Sequence, residues 1–403
     1  MLTGDQALTD FIRQTIRRIG PVSFEWFMEQ ALYHPELGYY SSGRCAIGRR
    51  GDYFTNISVG PLFGRLLAAQ FAEMWESMGR PDDFVVVEQG GHHGDFARDV
   101  LGAVRERARD FFSALRYWII EPFPILRKRQ GETLRDFSEK LRWEKSLVDL
   151  EPFCGVHFSN ELLDAMPVHL ISRVAQPSSL RRIGSPGSSR RSLCYSDADW
   201  QERSVVESGA GFGFVTTPIT DGELRLHLNT IPRHSSGPYE TEVNLAALKW
   251  IESLAQKLIR GYVLAVDYGY SRDDFYAPER TSGTLQCYAH HRIIRSPLTG
   301  VGDVDITAHV DWTSVASCGE KHGLGVAGFT DQHHFATGVA AALMPEQFDA
   351  NADAGTRRAL QTLLHPEFLG KTFQFLALTR NVAPDFQLSG FKFARSSRTT
   401  LGL

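Results

Sequence analysis

Six short runs of β-branched and aromatic residues, each bounded by glycine, proline or polar clusters, predict strands. They are DDFVVVEQ from Asp82, LRYWIIEP from Leu115, GVHFSN from Gly155, LIRGYVLAVDYG from Leu258, HGLGVAGF from His322 and KTFQFLALTRN from Lys371. Between the first two, Phe96, Val100, Leu101, Val104 and Ala108 recur at helical spacing, which predicts a helix from Asp95 to Leu115. A second helical stretch runs from about Glu242 to Arg260, so that Glu240 and Glu242 stand at its start. Leu8, Phe11, Ile12, Thr15, Ile16 and Ile19 form an amphipathic stripe, as a docked leading helix would. Strands alternating with helices imply an α/β fold with a doubly wound, mainly parallel sheet. From Leu170 to Tyr239 the helical period is lost, and the pieces RSVVES, FGFVTT and ELRLHLN alternate instead. They predict a β-rich insertion with a loop over 177–192. The expected division is an N-terminal helical segment over 1–80, a core over 81–170 and 240–403, and an insertion over 171–239.

Composition narrows the function. Of 403 residues, 42% are hydrophobic and 22% charged, and the net charge is −4. That balance gives no electrostatic reason to expect a nucleic-acid partner. The basic stretch RRIGSPGSSRR from Arg181 is broken by Ser, Gly and Pro and reads as a solvated loop. The five cysteines, at 45, 154, 194, 287 and 318, form no CxxC pair. A disulfide framework or zinc knuckle is therefore not expected, and the cytoplasm is the expected compartment. No apolar run approaches the ~20 residues of a membrane span. Asp5 and Asp10 argue against a transit peptide.

Open α/β sheets bind ligands at the C-terminal ends of their strands. Acids stand at three of these ends, Glu88, Glu121 and Asp267, and Asn160 and Glu161 follow another. A carboxylate at the end of the second strand accepts two hydrogen bonds from a ribose diol and repels a 2′-phosphate. Gly90 and Gly94 let the backbone turn sharply after Glu88. There is no complete G-x-G-x-x-G here and no GxxxxGK[ST] phosphate loop. A ligand with ribose but no phosphate suits these acids, and S-adenosylmethionine is one, its sulfonium favouring nearby carboxylates. The histidine pairs 92–93, 290–291 and 333–334 do not read as metal sites, because adjacent side chains diverge. In the run GDVDITAHVDW, with Asp303, Asp305, His309 and Asp311, strand alternation puts Asp305, Thr307 and His309 on one face, and His309 reads as hydrogen-bonded in a core.

Several long, ordered segments carry a resemblance. They are GPVSFEWFMEQALYHPELGYYSSGRCAIGRRGDYFTNISVGPLFGRLLA, VVEQGGHHGDFARDVL, SNELLDAMPVH, RGYVLAVDYG, GTLQCYAHH, GDVDITAHVDWTSVA and DQHHFATG. The chain resembles the MidA-type methyltransferases, whose mitochondrial members assist assembly of respiratory complex I and methylate a protein arginine. The resemblance implies a seven-stranded, Rossmann-like class I methyltransferase fold, with the adenosylmethionine turn at Glu88 to Gly94. It also implies a loop that covers the cofactor, with Asp52, Tyr53 and Thr55 as wall residues; an ordinary Asx-type turn is the other reading of that segment. Where the family's turn reads acid-x-Gly-x-Gly-x-Gly, this chain has His92 in place of the middle glycine, followed by His93. A β-carbon at 92 crowds the cofactor if φ is positive, and the side chain points away if φ is negative.

Asn160, Glu161 and Asp164 match the loop where class I methyltransferases orient the accepting atom. A carboxylate there suits a guanidinium. A helix N-cap at Asn160 with Glu161 in the first turn is the alternative. Glu161 is the expected catalytic residue, with Asn160 beside it and Glu242 second. Three functions follow: methylation of a protein, on arginine; methylation of a small molecule; or a binding or assembly factor that keeps the fold without chemistry. The oligomeric state is not legible in the chain.

Overall fold

A computed structural model describes residues 4–43, 56–173, 200–232, 238–289, 292–345, 354–365, 369–383 and 386–403. The chain forms two compact units, one of 1–40, 165–246 and 272–309, the other of 41–164, 247–271 and 310–403. These boundaries differ from those expected from local pattern. The antiparallel pairing of Val22–Ser23 with Trp200–Ser208 draws the N-terminus to the strands of the expected insertion. The helix Leu62–Ser77 instead buries Leu66, Leu67, Phe71 and Met74 in the core of the larger unit. Pairings this distant in sequence leave no local signature.

In the larger unit the strands lie in the order Gly325–Asp331, Phe373–Arg380, Leu258–Tyr270, Phe153–Asn160, Phe84–Gln89, Leu115–Ile120, Leu141–Glu144. Phe373–Arg380 runs antiparallel to both its neighbours, and the other pairs along this path are parallel. Val310–Asp311 extends the sheet beside Gly269 and Tyr270, so the sheet has eight strands where seven were expected. Leu141–Glu144 was not foreseen. It is a half-buried edge strand carrying Arg142 and Glu144, too short and too charged for an alternation signal. The helix expected from Asp95 to Leu115 breaks at Ala108, where φ is −139°, into Asp95–Arg107 and Arg109–Ala114. Leu115 already belongs to the next strand.

Two central glycines set how closely these strands approach. Gly155 has φ +149°, and a β-carbon there would lie 1.9 Å from the Val85 carbonyl oxygen. Gly261, φ +135°, would meet the oxygen of Gly155 at the same distance. Val85, Gly155 and Gly261 are successive cross-strand partners. Around them Phe71, Phe96 and Phe158 interlock, with the Phe96 and Phe158 rings stacked 4.5 Å apart.

From Phe84–Gln89 the chain steps outward to Leu115–Ile120 and Leu141–Glu144. It then returns to Phe153–Asn160 on the other side of its starting strand. Open α/β sheets bind ligands beyond the strand ends at such a reversal, which here lies between Phe84–Gln89 and Phe153–Asn160.

In the smaller unit a five-stranded antiparallel sheet orders Val22–Ser23, Trp200–Ser208, His169–Arg173 and Tyr239–Val243, with Gly211–Pro218 paired to Trp200–Ser208. The helix Phe24–Tyr33 lays Phe24 and Phe27 against Phe214 and Phe212. The piece read as alternating, ELRLHLN, is mostly the helix Gly222–Leu228. Asp221 caps it, and Leu224 and Leu228 bury one face. Glu242 does not begin a helix. It lies in Tyr239–Val243, and the helix starts at Leu245. Among the described residues no helix is long and apolar enough to cross a membrane.

Candidate active site

Glu88 stands one residue before the end of its strand, inside the protein rather than at its surface. The Tyr117 hydroxyl donates to Glu88 Oε2 at 2.7 Å. Burial pushes the Glu88 carboxyl up to about 7; the Tyr117 hydroxyl opposes this and the charge of Glu121 adds to it. The turn that follows folds over this carboxyl. A β-carbon on Gly91 would sit 3.0 Å from Glu88 Oε1, so the carboxyl occupies the space a side chain at 91 would need. Gly90 and Gly94 take φ +83° and +84°. The Gly94 amide closes the turn on the Gly91 carbonyl at 2.7 Å and hands the chain to the helix Asp95–Arg107.

Glu121 follows Leu115–Ile120 and is buried with its carboxylate turned inward. Its Oε1 accepts from the Phe123 amide at 3.0 Å and its Oε2 from Gln130 Nε2 at 3.1 Å. Burial pushes it up to about 7, against these two hydrogen bonds and the charge of Arg127. Two of about four acceptor positions are thus filled, which leaves room for a ribose diol. A phosphate would meet two buried carboxyls. The residues present therefore fit an adenosyl ligand without phosphate.

His92 settles the question its identity posed. Its φ is +42°, so the backbone keeps the glycine-like left-handed turn, the branch in which a β-carbon was expected to crowd the cofactor. The imidazole stacks on His93 with ring centroids 3.7 Å apart. His93 Nε2 in turn lies 3.1 Å from Arg129 Nη1.

The turn after Phe153–Asn160 sits beside Gly90, where a β-carbon would approach Leu162 Cδ1 at 3.5 Å. No helix begins here, so the N-cap reading of Asn160 fails; Asn160 is the last strand residue. Glu161 takes φ +52°, and its amide donates to the Val266 carbonyl at 2.9 Å. Asp267 shapes this turn. Its Oδ2 accepts the amides of Leu162, Leu163 and Asp164 at 3.1, 2.8 and 3.2 Å, and its Oδ1 accepts that of Tyr268. Asn160 Nδ2 donates to Glu161 Oε1 at 2.8 Å, and Asn56 Nδ2 to Asn160 Oδ1 at 3.3 Å. Asn56 Oδ1, fully buried, meets no donor among the described residues.

Glu88, Gly90, Gly94, Glu121, Asn160 and Glu161 thus gather at the sheet's reversal. Glu242 belongs to the smaller unit. Its buried carboxylate accepts from the Thr284 amide and hydroxyl and from the Leu285 amide. Asp52, Tyr53 and Thr55 lie outside the described residues, as do residues 177–192, the basic stretch from Arg181, and His290–His291. Among the described residues no three His, Cys, Asp or Glu side chains gather as a metal site would require.

Sequence reasoning missed Tyr117, Gln130 and Asn56. Tyr117 was within reach, because strand alternation puts it on the face of Ile119, the cross-strand partner of Glu88. Gln130 interrupts the i, i+4 row Leu126, Gln130, Leu134, and a polar residue in a buried stripe is a signal in itself.

Comparison with known proteins agrees with this geometry. Residues 66–330 match the family model described as "Putative S-adenosyl-L-methionine-dependent methyltransferase". The chain is 25% identical to the mitochondrial protein arginine methyltransferase NDUFAF7 homolog of Drosophila melanogaster, over 93% of this chain and 85% of that one. To the human protein arginine methyltransferase NDUFAF7 it is 23% identical, over 95% and 85%. A crystal structure from Burkholderia thailandensis bound to S-adenosyl-homocysteine superposes with a TM-score of 0.83 at 29% identity, covering 98% of this chain and 96% of that one. The chain belongs to the S-adenosyl-L-methionine-dependent methyltransferase family, on the class I fold its sheet displays.

Proposed function

We propose that the acceptor of this methyltransferase is a protein side chain, the guanidinium of an arginine. The observation that carries the reading is the turn at Asn160 to Asp164. It holds a carboxylate and an amide in a left-handed corner next to the glycine turn, fixed from behind by Asp267. Asn56 Oδ1 beside it, buried and without a donor among the described residues, adds a further acceptor. An assembly of acceptors suits a group with five N–H donors. The names of the curated relatives support the same acceptor.

S-adenosylmethionine, when bound, supplies a methyl carbon already activated by its sulfonium. Glu121 would hold the ribose, and the turn from Glu88 to Gly94 would receive the adenosyl group. Asp52, Tyr53 and Thr55 enter the proposal as the covering wall. Glu161 would accept the guanidinium N–H groups, orient one nitrogen, and favour the positive charge that stays on the acceptor. Asn160 fixes Glu161. Glu242 is the weaker partner in this proposal, because backbone and hydroxyl donors already occupy its carboxylate. The compartment we propose is the cytoplasm, from the cysteine usage; the curated relatives carry mitochondrial names.

Transfer of labelled methyl groups to a cell lysate, resolved by size, tests the acceptor class. Label on protein, released as methylarginine on hydrolysis, supports the proposal. Label confined to small molecules overturns it. Glu161→Gln is expected to abolish transfer while S-adenosyl-homocysteine still binds, and unchanged turnover would remove Glu161 from the chemistry.

A further inference from the structure

We infer that Gln130 is a cofactor-positioning residue that compensates for the histidine at position 92. Gln130 is fully buried on the helix Pro124–Thr133, and its side-chain amide spans three elements. One N–H of Nε2 donates to Glu121 Oε2 at 3.1 Å, and the other donates to the His92 carbonyl at 3.0 Å. Its Oε1 accepts the Trp143 indole N–H at 2.9 Å. That last bond fixes which end of the amide is oxygen, since an indole only donates. Both Nε2 hydrogens are thereby directed at the glycine turn and at the carboxylate assigned to the ribose.

The consequence lies in the backbone. An L-residue in the left-handed region is strained, whereas glycine is not. Position 92 carries a histidine and still takes φ +42°. A carbonyl held at a fixed donor cannot rotate with its peptide plane, so the Gln130 bond opposes the relaxation that a β-carbon favours. Glycine at that position would keep the same turn without help. Gln130 thus lets the turn keep a glycine-like path with a side chain in it, and ties that turn to Glu121 through one rigid group.

The inference rests on the assignment of Glu121 and the glycine turn to the cofactor, and a double-mutant cycle separates the two. Calorimetric titration with S-adenosyl-homocysteine would be run on the wild-type chain, Gln130→Leu, His92→Gly and the double variant, with melting of each ligand-free protein alongside. Gln130→Leu is expected to weaken binding at least ~10-fold when His92 is present and less than ~3-fold when glycine replaces it. Equal losses in both backgrounds, or no loss in either, would overturn the role of Gln130 while the cofactor site stands. If Gln130→Leu does not fold, Gln130→Glu keeps the acceptor for Trp143 but turns an oxygen toward Glu121 and the His92 carbonyl. It should weaken binding more in the wild-type background than in the His92→Gly background, and equal losses there too would overturn the inference. Absence of binding by both the wild-type chain and His92→Gly would instead sink the cofactor assignment itself.

Discussion

At the scale of single residues, the site depends on carboxyls buried for their shape and hydrogen bonding as much as for their charge. Asp267 is fully buried, and one of its oxygens gathers three consecutive amides. Asp267→Asn keeps the volume but can turn an N–H₂ group toward those amides. Leaving them unsatisfied should cost ~2 kcal/mol or more, read by urea unfolding, and should lower kcat more than it raises KM for the cofactor. Glu88 and Glu121 add a pH dependence whose sign is fixed. Both are pushed up from 4.5 to about 7 by burial, so the folded protein holds protons that the unfolded chain has released. The contribution of these two carboxyls to the stability of the ligand-free protein should fall as pH rises from 4.5 to about 7 and change little above that. Ribose hydroxyls donate best to the ionised form, so affinity for S-adenosyl-homocysteine should fall as pH drops below about 7, by up to ~10-fold per unit. Glu121→Gln should flatten its share of that slope. The strand-end acids were legible in the sequence because a charge closing an apolar run is conspicuous. The sign of φ at His92 was not, because it depends on Gln130, whose bond to the carbonyl comes from a residue 38 positions away.

Elements follow the hydrophobic pattern wherever burial is strong and two-sided. The strands Phe84–Gln89, Leu115–Ile120, Phe153–Asn160 and Leu258–Tyr270 appear where their apolar runs place them. Pattern failed where burial is partial. Leu141–Glu144 sits at an edge, and Gly222–Leu228 has only two buried side chains. Glu242 was placed on a helix because its strand, Tyr239–Val243, runs almost directly into one. The central strands also make the mechanical base of the site. Phe158 is buried and packs on both Phe71 and Phe96, two residues before Asn160. Phe158→Ala should cost ~3–5 kcal/mol in urea unfolding. Gly155→Val would drive a side chain into the Val85 carbonyl, so the expected outcome is loss of soluble folded protein, and a wild-type melting curve would contradict that close approach.

At the scale of the whole molecule, the chain carries a methyltransferase sheet and a second unit whose strands come from 1–40, 165–246 and 272–309. The sheet order, with one antiparallel strand between two others, was only partly legible. Alternating strands and helices announce a doubly wound sheet, but order is set by crossovers that no local window contains. The second unit was less legible still, because two of its three segments had been assigned to other parts of the chain. What the whole fold provides is a reversal of strand order between Phe84–Gln89 and Phe153–Asn160, with Glu88, Glu121 and the glycine turn gathered there. Calorimetric titration of S-adenosyl-homocysteine into the wild-type chain and into Glu121→Ala tests that claim most directly. Saturable binding by the wild type, weakened at least ~10-fold in a Glu121→Ala protein that still melts cooperatively, is the predicted result. No heat with the wild type at millimolar ligand, or equal affinity in the two proteins, would contradict it.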